Sequence, residues 1–160
     1  AANKDLVLGF YKALNDADAA GKTGERITDI AQKYLSPDYV QHAEAFANLP
    51  GPGSARDKLV RMFQSMPPMP AMPPQKVIAV MAEGDLVMLL TSRDFPDPAG
   101  GPAKPRFVFN MFRVKDGKLI EHWDIGAAPP PGPGGPGTMP PLHGEHGPMP
   151  TPGPPGAPAN

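Results

Sequence analysis

His122 and Asp124 stand two residues apart in KLIEHWDI, residues 118–125, a stretch whose composition predicts a short β-strand. Side chains at positions i and i+2 of a strand project from the same face of a sheet. An imidazole beside a carboxylate in an apolar cavity can pass protons to and from a bound small molecule. That chemistry supports enolisation, ring closure, or the addition or loss of water. The same pair also occurs as a satisfied hydrogen-bonded pair in protein cores, and the spacing leaves both interpretations open.

The neighbour of His122 on the preceding strand, PRFVFNMFRV, depends on the hairpin turn at KDGK. A two-residue turn sets Met111 opposite His122. A three-residue turn with its glycine in the left-handed conformation sets Asn110 opposite His122 and Val108 opposite Asp124. Directly opposed side chains lie about 5.5 Å apart at Cβ, so Asn110 would then contact the imidazole.

We favour the three-residue turn because it places polar groups together, where they can satisfy one another. Phe109, Met111 and Trp123 then share the opposite face, where an exposed tryptophan fits a dimer interface. The amide of Asn110 can orient an imidazole or a ligand carbonyl, but it cannot take a proton at neutral pH. Asp124 is therefore the candidate carboxylate base.

The elements that must position these residues follow from the hydrophobic spacing. Residues 3–20 predict a helix capped by Asn3, and residues 25–35 predict a second helix that ends at Ser36-Pro37. A third helix begins after Ser54 and ends before Pro67. DYVQHA is a short extended segment, and KVIAVMAEGDLVMLLTSRDF reads as two strands around a turn at EGD. Three helices and a run of antiparallel strands predict an α+β fold.

The composition narrows the classes of function. The chain has 160 residues, which suits one domain of ordinary size, and 15 basic against 16 acidic residues give a net charge of -1. This balance offers no electrostatic surface for nucleic acid, and no apolar run is long enough to span a bilayer. The absence of cysteine excludes disulfides, thiolate metal sites and a cysteine nucleophile.

Proline is concentrated after residue 126. Residues 127–160 hold 13 prolines and 8 glycines with almost no large apolar side chains. Such a segment cannot offset its ordering entropy with a core of its own. We therefore predict a folded domain over residues 1–126 and an extended Pro/Gly-rich tail over residues 127–160. HGEH, residues 143–146, has metal-compatible residue types in this tail, and we interpret it as adventitious.

Three stretches carry a family resemblance: YVQH, AEGDLV and FVFNMFRVKDGKLIEHWDI. From about Asp5 to Gly126 the chain resembles the SnoaL-like polyketide cyclase branch of the NTF2-like superfamily. The resemblance implies a cone-shaped, curved antiparallel sheet packed on three N-terminal helices, a small-molecule ligand inside the cone, and a homodimer formed through the outer sheet face. In relatives the position of Asn110 is often an aspartate. If that aspartate is a base in some members, the resemblance implies that this chain has lost that role there.

The resemblance also places His42 and Tyr39 at the mouth of the pocket as substrate-binding residues. Phe112 and Ile120 are predicted to line it with them. A lone histidine at the end of a strand is more often a surface or capping residue, and a tyrosine there more often packs. Two histidines and a carboxylate also form the ligand set of non-haem iron. Nothing else supports a metal, so no metal and no cofactor are predicted.

We therefore predict a small-molecule-binding protein in which His122 and Asp124 act as general acid and base and Asn110 orients. The substrate would be a compact, apolar carbonyl or epoxide compound that is cyclised, isomerised, hydrated or hydrolysed. The alternative is a non-catalytic ligand-binding or assembly module whose proline-rich tail docks on a partner. The opening AANKDL fits a signal-peptidase product as well as a trimmed chain, so the compartment stays open between exported and cytoplasmic.

Overall fold

The computed structural model describes residues 1–43, 46–67, 73–97 and 99–126. The helices are α1 (Ala2–Ala19), α2 (Thr23–Tyr34) and α3 (Ala55–Ser65). The strands are β1 (Leu35–Gln41), β2 (Lys76–Glu83), β3 (Leu86–Phe95), β4 (Lys104–Lys115) and β5 (Lys118–Gly126). The α+β class is confirmed. The predicted tail, including His143 and His146, lies outside the described residues, and the domain boundary at residue 126 stays a prediction.

The sheet is mixed, which corrects the expectation of an antiparallel sheet. Its strand order is β1-β5-β4-β3-β2. The three pairs that join β2, β3, β4 and β5 are antiparallel, whereas β1 lies parallel to β5, with Gln41 beside His122. Strands joined by short hairpins must run antiparallel, but β1 and β5 are separated by most of the chain and are free to lie parallel.

The first helix begins one residue earlier than its predicted cap. Asn3 lies inside α1, and its side-chain amide donates to the Gly84 carbonyl at 3.2 Å. The cap of α3 is confirmed, because the Ser54 hydroxyl accepts from the Asp57 amide and the Asp57 carboxylate accepts from the Ser54 amide. This reciprocal capping box satisfies two backbone donors that a helix start would otherwise leave open.

The core lies between the helices and one face of the sheet, here called the inner face. Phe112 on β4 is almost fully buried, with its ring centroid 6.1 Å from that of Phe10 and 6.0 Å from that of Tyr11, both on α1. Side chains alternate along β4, so Phe109 and Met111 point to the opposite or outer face. The inner face is therefore covered by α1, and the outer face remains partly exposed.

The β4–β5 hairpin does not keep either of the two predicted registers along its whole length. Asp116 and Gly117 have φ values of 50° and 69°, which is the left-handed pair of a two-residue turn, and Lys115 faces Lys118. A β-bulge then shifts the pairing between Arg113 and Val114. The extra residue, Ile120, shifts the pairing of the strands by one position. This shift returns His122 and Asp124 to the same face as Asn110, from which the two-residue turn alone would have separated them.

Beyond the bulge Phe112 faces His122, and Asn110 faces Asp124. The predicted direct pairing of Asn110 with His122 is therefore wrong by two positions. The prediction that Asn110, His122 and Asp124 share one face is confirmed, because a shift of two preserves the alternation. Met111 faces Trp123. The favoured register would have set Phe109 there, but its placement of Phe109, Met111 and Trp123 on one face is confirmed.

The bulge also changes the position of Ile120. Leu119 faces Val114 and is fully buried in the core, whereas Ile120 is the extra residue and is half-buried. Ile120, which was predicted to line the pocket, therefore lies at the bulge and outside the regular alternation that places His122 on the inner face. Among the described residues no helix is both long and apolar enough to cross a membrane.

Candidate functional site

A row of buried polar side chains crosses the inner face. Gln41, Thr91, Asn110 and His122 are each at most 9% exposed, and they come from four different strands. Buried polar groups cost free energy unless they hydrogen-bond, and each member of this row has partners. We call these four residues the polar row, and they lie among the apolar side chains that α1 covers.

His122 is held on three sides. Its Nδ1 lies 2.9 Å from Gln41 Oε1 and its Nε2 lies 3.2 Å from Asn110 Oδ1. Its ring stacks on Phe112 with centroids 4.3 Å apart and an interplanar angle of 17°. Burial, with a smaller contribution from nearby His42, lowers the pKa of His122 to about 3. The imidazole is therefore neutral near pH 7.

Gln41 connects His122 to Tyr39. Its Oε1 accepts from the Ala43 amide at 3.0 Å, and its Nε2 donates to the Tyr39 hydroxyl at 3.0 Å. Gln41 was not predicted as a site residue, although Tyr39 and Gln41 occupy positions i and i+2 of β1 and so share a face. That alternation was the signal that could have identified it.

At its other end the polar row reaches Gln75, the residue before β2, and through it Asn15 on α1. Asn110 Nδ2 lies 3.3 Å from Thr91 Oγ1, and Gln75 Nε2 donates to the same hydroxyl at 3.0 Å. Asn15 then closes on the backbone of Gln75, with bonds of 2.9 and 3.0 Å. These contacts join residues that are far apart in sequence, so a reading of local motifs could not find them.

Asp124 lies on the inner face, directly across from Asn110, with two buried tyrosines in its electrostatic range. Burial raises the pKa of Tyr39 far above its usual value, and the negative charge of Asp124 raises it further. Burial also raises the pKa of Tyr11 far above its usual value, and Tyr39 and then Asp124 add smaller increases. Both phenols therefore keep their protons. Tyr11, on α1, was not predicted as a site residue.

The structure does not bring His42 together with His122 and Asp124. Its backbone amide donates to the His122 carbonyl at 2.9 Å, but its side chain lies on the outer face. There the imidazole is 2.7 Å from Glu121 Oε1 and stacks on Trp123 with centroids 5.1 Å apart. The predicted place of His42 at the pocket mouth is therefore corrected, because strand alternation turns it away from the polar row.

The outer-face contacts of Glu121 are charged ones. Arg113 Nε donates to Glu121 Oε2 at 3.0 Å, and the Arg113 guanidinium lies 5.8 Å from the centre of the Trp123 ring. Hydrogen bonding, first from His42 and then from Arg113, lowers the pKa of Glu121. The side chains of His42, Glu121 and Arg113 therefore form surface ion pairs, and they do not contact the polar row.

Two other features bear on the location of the site. Within the four described ranges, no three histidine or acidic side chains are gathered as a metal-ligand set. A groove of about 280 Å³ lies between α2 and α3, and it is lined by Thr28, Gln32, Arg56, Val60 and Arg61 among others. It contains none of the residues of the polar row, so we attach the candidate chemistry to the inner face.

Comparisons with known proteins agree with this fold. The family model of the SnoaL-like domain matches residues 7–122. No curated protein matches the chain. AclR from Streptomyces galilaeus, suggested to be a hydroxylase, is 25% identical over 78% of this chain and 88% of its own, with a TM-score of 0.50.

Two more solved structures share the fold at lower identity. An NTF2-like protein of unknown function from Burkholderia pseudomallei K96243 has a TM-score of 0.57 at 14% identity, covering 79% of this chain and 92% of its own. A protein from Jannaschia sp. CCS1, suggested to be a SnoaL-like polyketide cyclase, has a TM-score of 0.52 at 18% identity, covering 78% and 85%. The family match spans most of the described elements, from α1 to β5. The chain belongs to the SnoaL-like domain family, within the NTF2-like fold.

Proposed function

We propose that the protein binds a compact, apolar carbonyl or epoxide compound at the inner face and acts on it by general acid/base catalysis. The observation that carries this proposal is that Asp124 lies across from Asn110 on the inner face, where its charge helps to raise the pKa of two buried tyrosines, Tyr11 and Tyr39. A carboxylate can accept a proton from the ligand, while phenols can donate to an oxygen that gains charge. Cyclisation, isomerisation, hydration and hydrolysis all need this division of roles.

His122 and Asn110 support the site in this proposal, and Asp124 is its base. A histidine whose pKa is lowered to about 3 is a weak base near pH 7. Both of its ring nitrogens also face side-chain amides of the protein. In this proposal Phe112 and Tyr39 contact the ligand, and Ile120 lies at the bulge, two residues before His122 on β5. Proton transfer by these groups needs no cofactor.

Replacing Asp124 by Asn should lower turnover about 100-fold, because the amide keeps the shape and loses the proton acceptor. Turnover would be measured on a panel of enolisable ketones, lactones and epoxides. Asp116→Asn is the matched control, since Asp116 lies in the exposed β4–β5 turn, where asparagine tolerates its left-handed conformation. Equal turnover in the two variants on a processed substrate would contradict a role for Asp124 as the base.

A second candidate function is a non-catalytic ligand-binding module on the same fold. Two observations favour it: Asn110 cannot accept a proton, and His122 is fully engaged by protein groups. In this case ligands of the panel would bind and be released unchanged. Calorimetric binding with no product over long incubation would favour this candidate over catalysis. The predicted tail would be tested separately, by comparing residues 1–126 with the full chain for ligand uptake.

We also propose a homodimer formed through the outer sheet face. Phe107 and Phe109 are each 51% exposed, and Ile125, which faces Phe109, is 79% exposed. Apolar side chains gathered on one face of a sheet are typical of surfaces that another protein covers. The same face in a second copy would be self-complementary, as a two-fold interface requires.

Phe109→Glu should convert this dimer to a monomer, because a carboxylate would be buried at the centre of the interface without a partner. Sedimentation velocity over a range of concentrations measures the change. Met66→Glu is the control, since Met66 is also exposed but lies at the end of α3. A wild-type protein that remains monomeric at every concentration would contradict the interface.

A further inference from the structure

The orientation of the Gln41 amide is set by the backbone. The Ala43 N–H points at Gln41 Oε1 at 3.0 Å, and an N–H can only donate, so the oxygen must lie on that side. Gln41 Nε2 is then directed at the Tyr39 hydroxyl at 3.0 Å. Gln41 is 9% exposed, so water does not compete freely for either end. The amide therefore has one orientation.

This orientation selects the tautomer of His122. Gln41 Oε1 is an acceptor 2.9 Å from His122 Nδ1, so Nδ1 must carry a hydrogen. The ring is buried against Phe112 and is neutral near pH 7. A neutral imidazole has a single N–H, which leaves a lone pair on Nε2. The group facing Nε2 must therefore be a donor.

Asn110 supplies that donor when its amide nitrogen, and not its oxygen, faces Nε2. The two ends of the amide have the same shape and exchange by a half turn, so hydrogen bonding decides between them. The end that lies 3.3 Å from the Thr91 hydroxyl is then the oxygen, and it accepts from Thr91, whereas the 3.5 Å contact of that end with the Val108 carbonyl is then no longer a hydrogen bond. Thr91 in turn accepts from Gln75 Nε2 at 3.0 Å. Each donor then meets an acceptor.

We propose that this chain of hydrogen bonds runs in one direction, from Gln75 through the polar row to Tyr39, and that Tyr39 donates the last hydrogen bond to an oxygen of the bound ligand. Gln41 is the positioning residue, because it sets the direction at both of its ends. A phenol that accepts one hydrogen bond keeps its own proton available. Aligned hydrogen bonds polarise one another, which strengthens the terminal donor.

The ligand group that Tyr39 recognises is an oxygen, an assignment that rests on the proposed function. Tyr39 is 4% exposed, so its hydroxyl can contact only a molecule that enters the inner face. The charge of Asp124 acts on the same hydroxyl. We place the carbonyl oxygen of the ligand at Tyr39 and its α-carbon toward Asp124. Tyr39 then donates a hydrogen bond to the oxygen while Asp124 takes the proton from the α-carbon. The ligand class is therefore an enolisable carbonyl compound.

The tautomer is tested on the ligand-free 160-residue chain by ¹⁵N NMR of the His122 ring. We expect a proton on Nδ1 and the chemical shift of an unprotonated nitrogen at Nε2. In Gln41→Leu, which removes the acceptor, we expect the Nδ1–H form to lose its dominance. A wild-type ring protonated at Nε2 would overturn the direction of the chain, whatever the protein binds.

The donor role of Tyr39 is tested with acetophenone carrying a ¹³C-labelled carbonyl. Binding is measured by calorimetry, and the infrared C=O stretch reports the hydrogen bond. Tyr39→Phe should weaken binding about 5-fold and raise the stretching frequency, as expected for the loss of one hydrogen bond. Tyr34→Phe removes another buried phenol, on α2, and should change neither quantity.

Gln41→Glu separates the direction of the chain from the presence of the hydroxyl. A carboxylate at position 41 would accept from both Tyr39 and His122, so the Tyr39 proton would be withdrawn from the ligand. Its effect on acetophenone should match that of Tyr39→Phe, whereas the surface control Gln64→Glu should have none. If Tyr39→Phe and Gln41→Glu both bind acetophenone with the wild-type affinity and the same C=O stretching frequency, the role of Tyr39 is overturned and the proposed function is not. Failure of acetophenone to bind the wild type would overturn it together with the proposed function.

Discussion

His122→Ala is expected to lower the free energy of unfolding by about 3 kcal/mol, even though the residue belongs to a candidate site. Two costs combine in this value. The ring is buried and stacked on Phe112, so its removal leaves a cavity in the core. Its loss also removes one of the two hydrogen bonds of Gln41 Oε1, and it leaves the end of the Asn110 amide that faced Nε2 without that partner, away from water. Urea titration followed by far-UV circular dichroism measures the change.

His42→Ala is the matched control, since it removes the same side chain one strand away. His42 is exposed on the outer face and paired with Glu121, where the loss of a surface ion pair costs less than about 1 kcal/mol. The two variants should therefore differ by about 2 kcal/mol or more. Equal destabilisation would show that His122 does not have the buried, doubly bonded environment described above.

The shared face of Asn110, His122 and Asp124 could be predicted from sequence because it depends only on strand alternation. Alternation has a period of two, so an error of two positions in the register leaves each residue on its correct face. The predicted pairing of Asn110 with His122 contained such an error, and the face was still right. The family and the α+β class could be predicted for a similar reason, since both depend on the order of helices and strands along the chain.

The exact pairing could not be predicted, because two local features compensate each other. The turn at Asp116 and Gly117 has two residues, and alone it would have placed Asn110 and His122 on different faces. The bulge at Ile120 reverses that effect. A bulge arises from packing against neighbouring strands and helices, and nothing in the residues KLIEH marks it.

The positions of His42, Tyr11 and Gln41 depend on contacts between distant elements. The motif YVQH drew attention to His42, but β1 pairs in parallel with β5, and this turns Gln41 toward His122 and His42 away from it. Tyr11 reaches the site only because α1 packs across the inner face. A parallel pairing and a helix orientation are tertiary facts, so residue types and spacing along the chain do not contain them.

Acid should destabilise the protein through His122 in particular. The pKa of this imidazole is about 3 in the folded protein and about 6.5 in an unfolded chain. Between these values the unfolded state binds a proton that the folded state does not, so the free energy of unfolding falls as the pH falls. The contribution is fully present above pH 6.5, and at pH 4 about 3 kcal/mol of it should be lost.

His122→Gln isolates this effect from the carboxylates, which titrate in the same range. Glutamine keeps a polar side chain at the position and cannot take up a proton, so the variant lacks the histidine contribution and keeps all the others. The variant should be less stable than the wild type near pH 7, and the difference should shrink by about 3 kcal/mol when urea titrations are repeated at pH 4. A difference that stays constant would mean that His122 has a similar pKa in both states. The imidazole would then be accessible to protons in the folded protein and free to act as the acid or base that its place beside Asp124 first indicated.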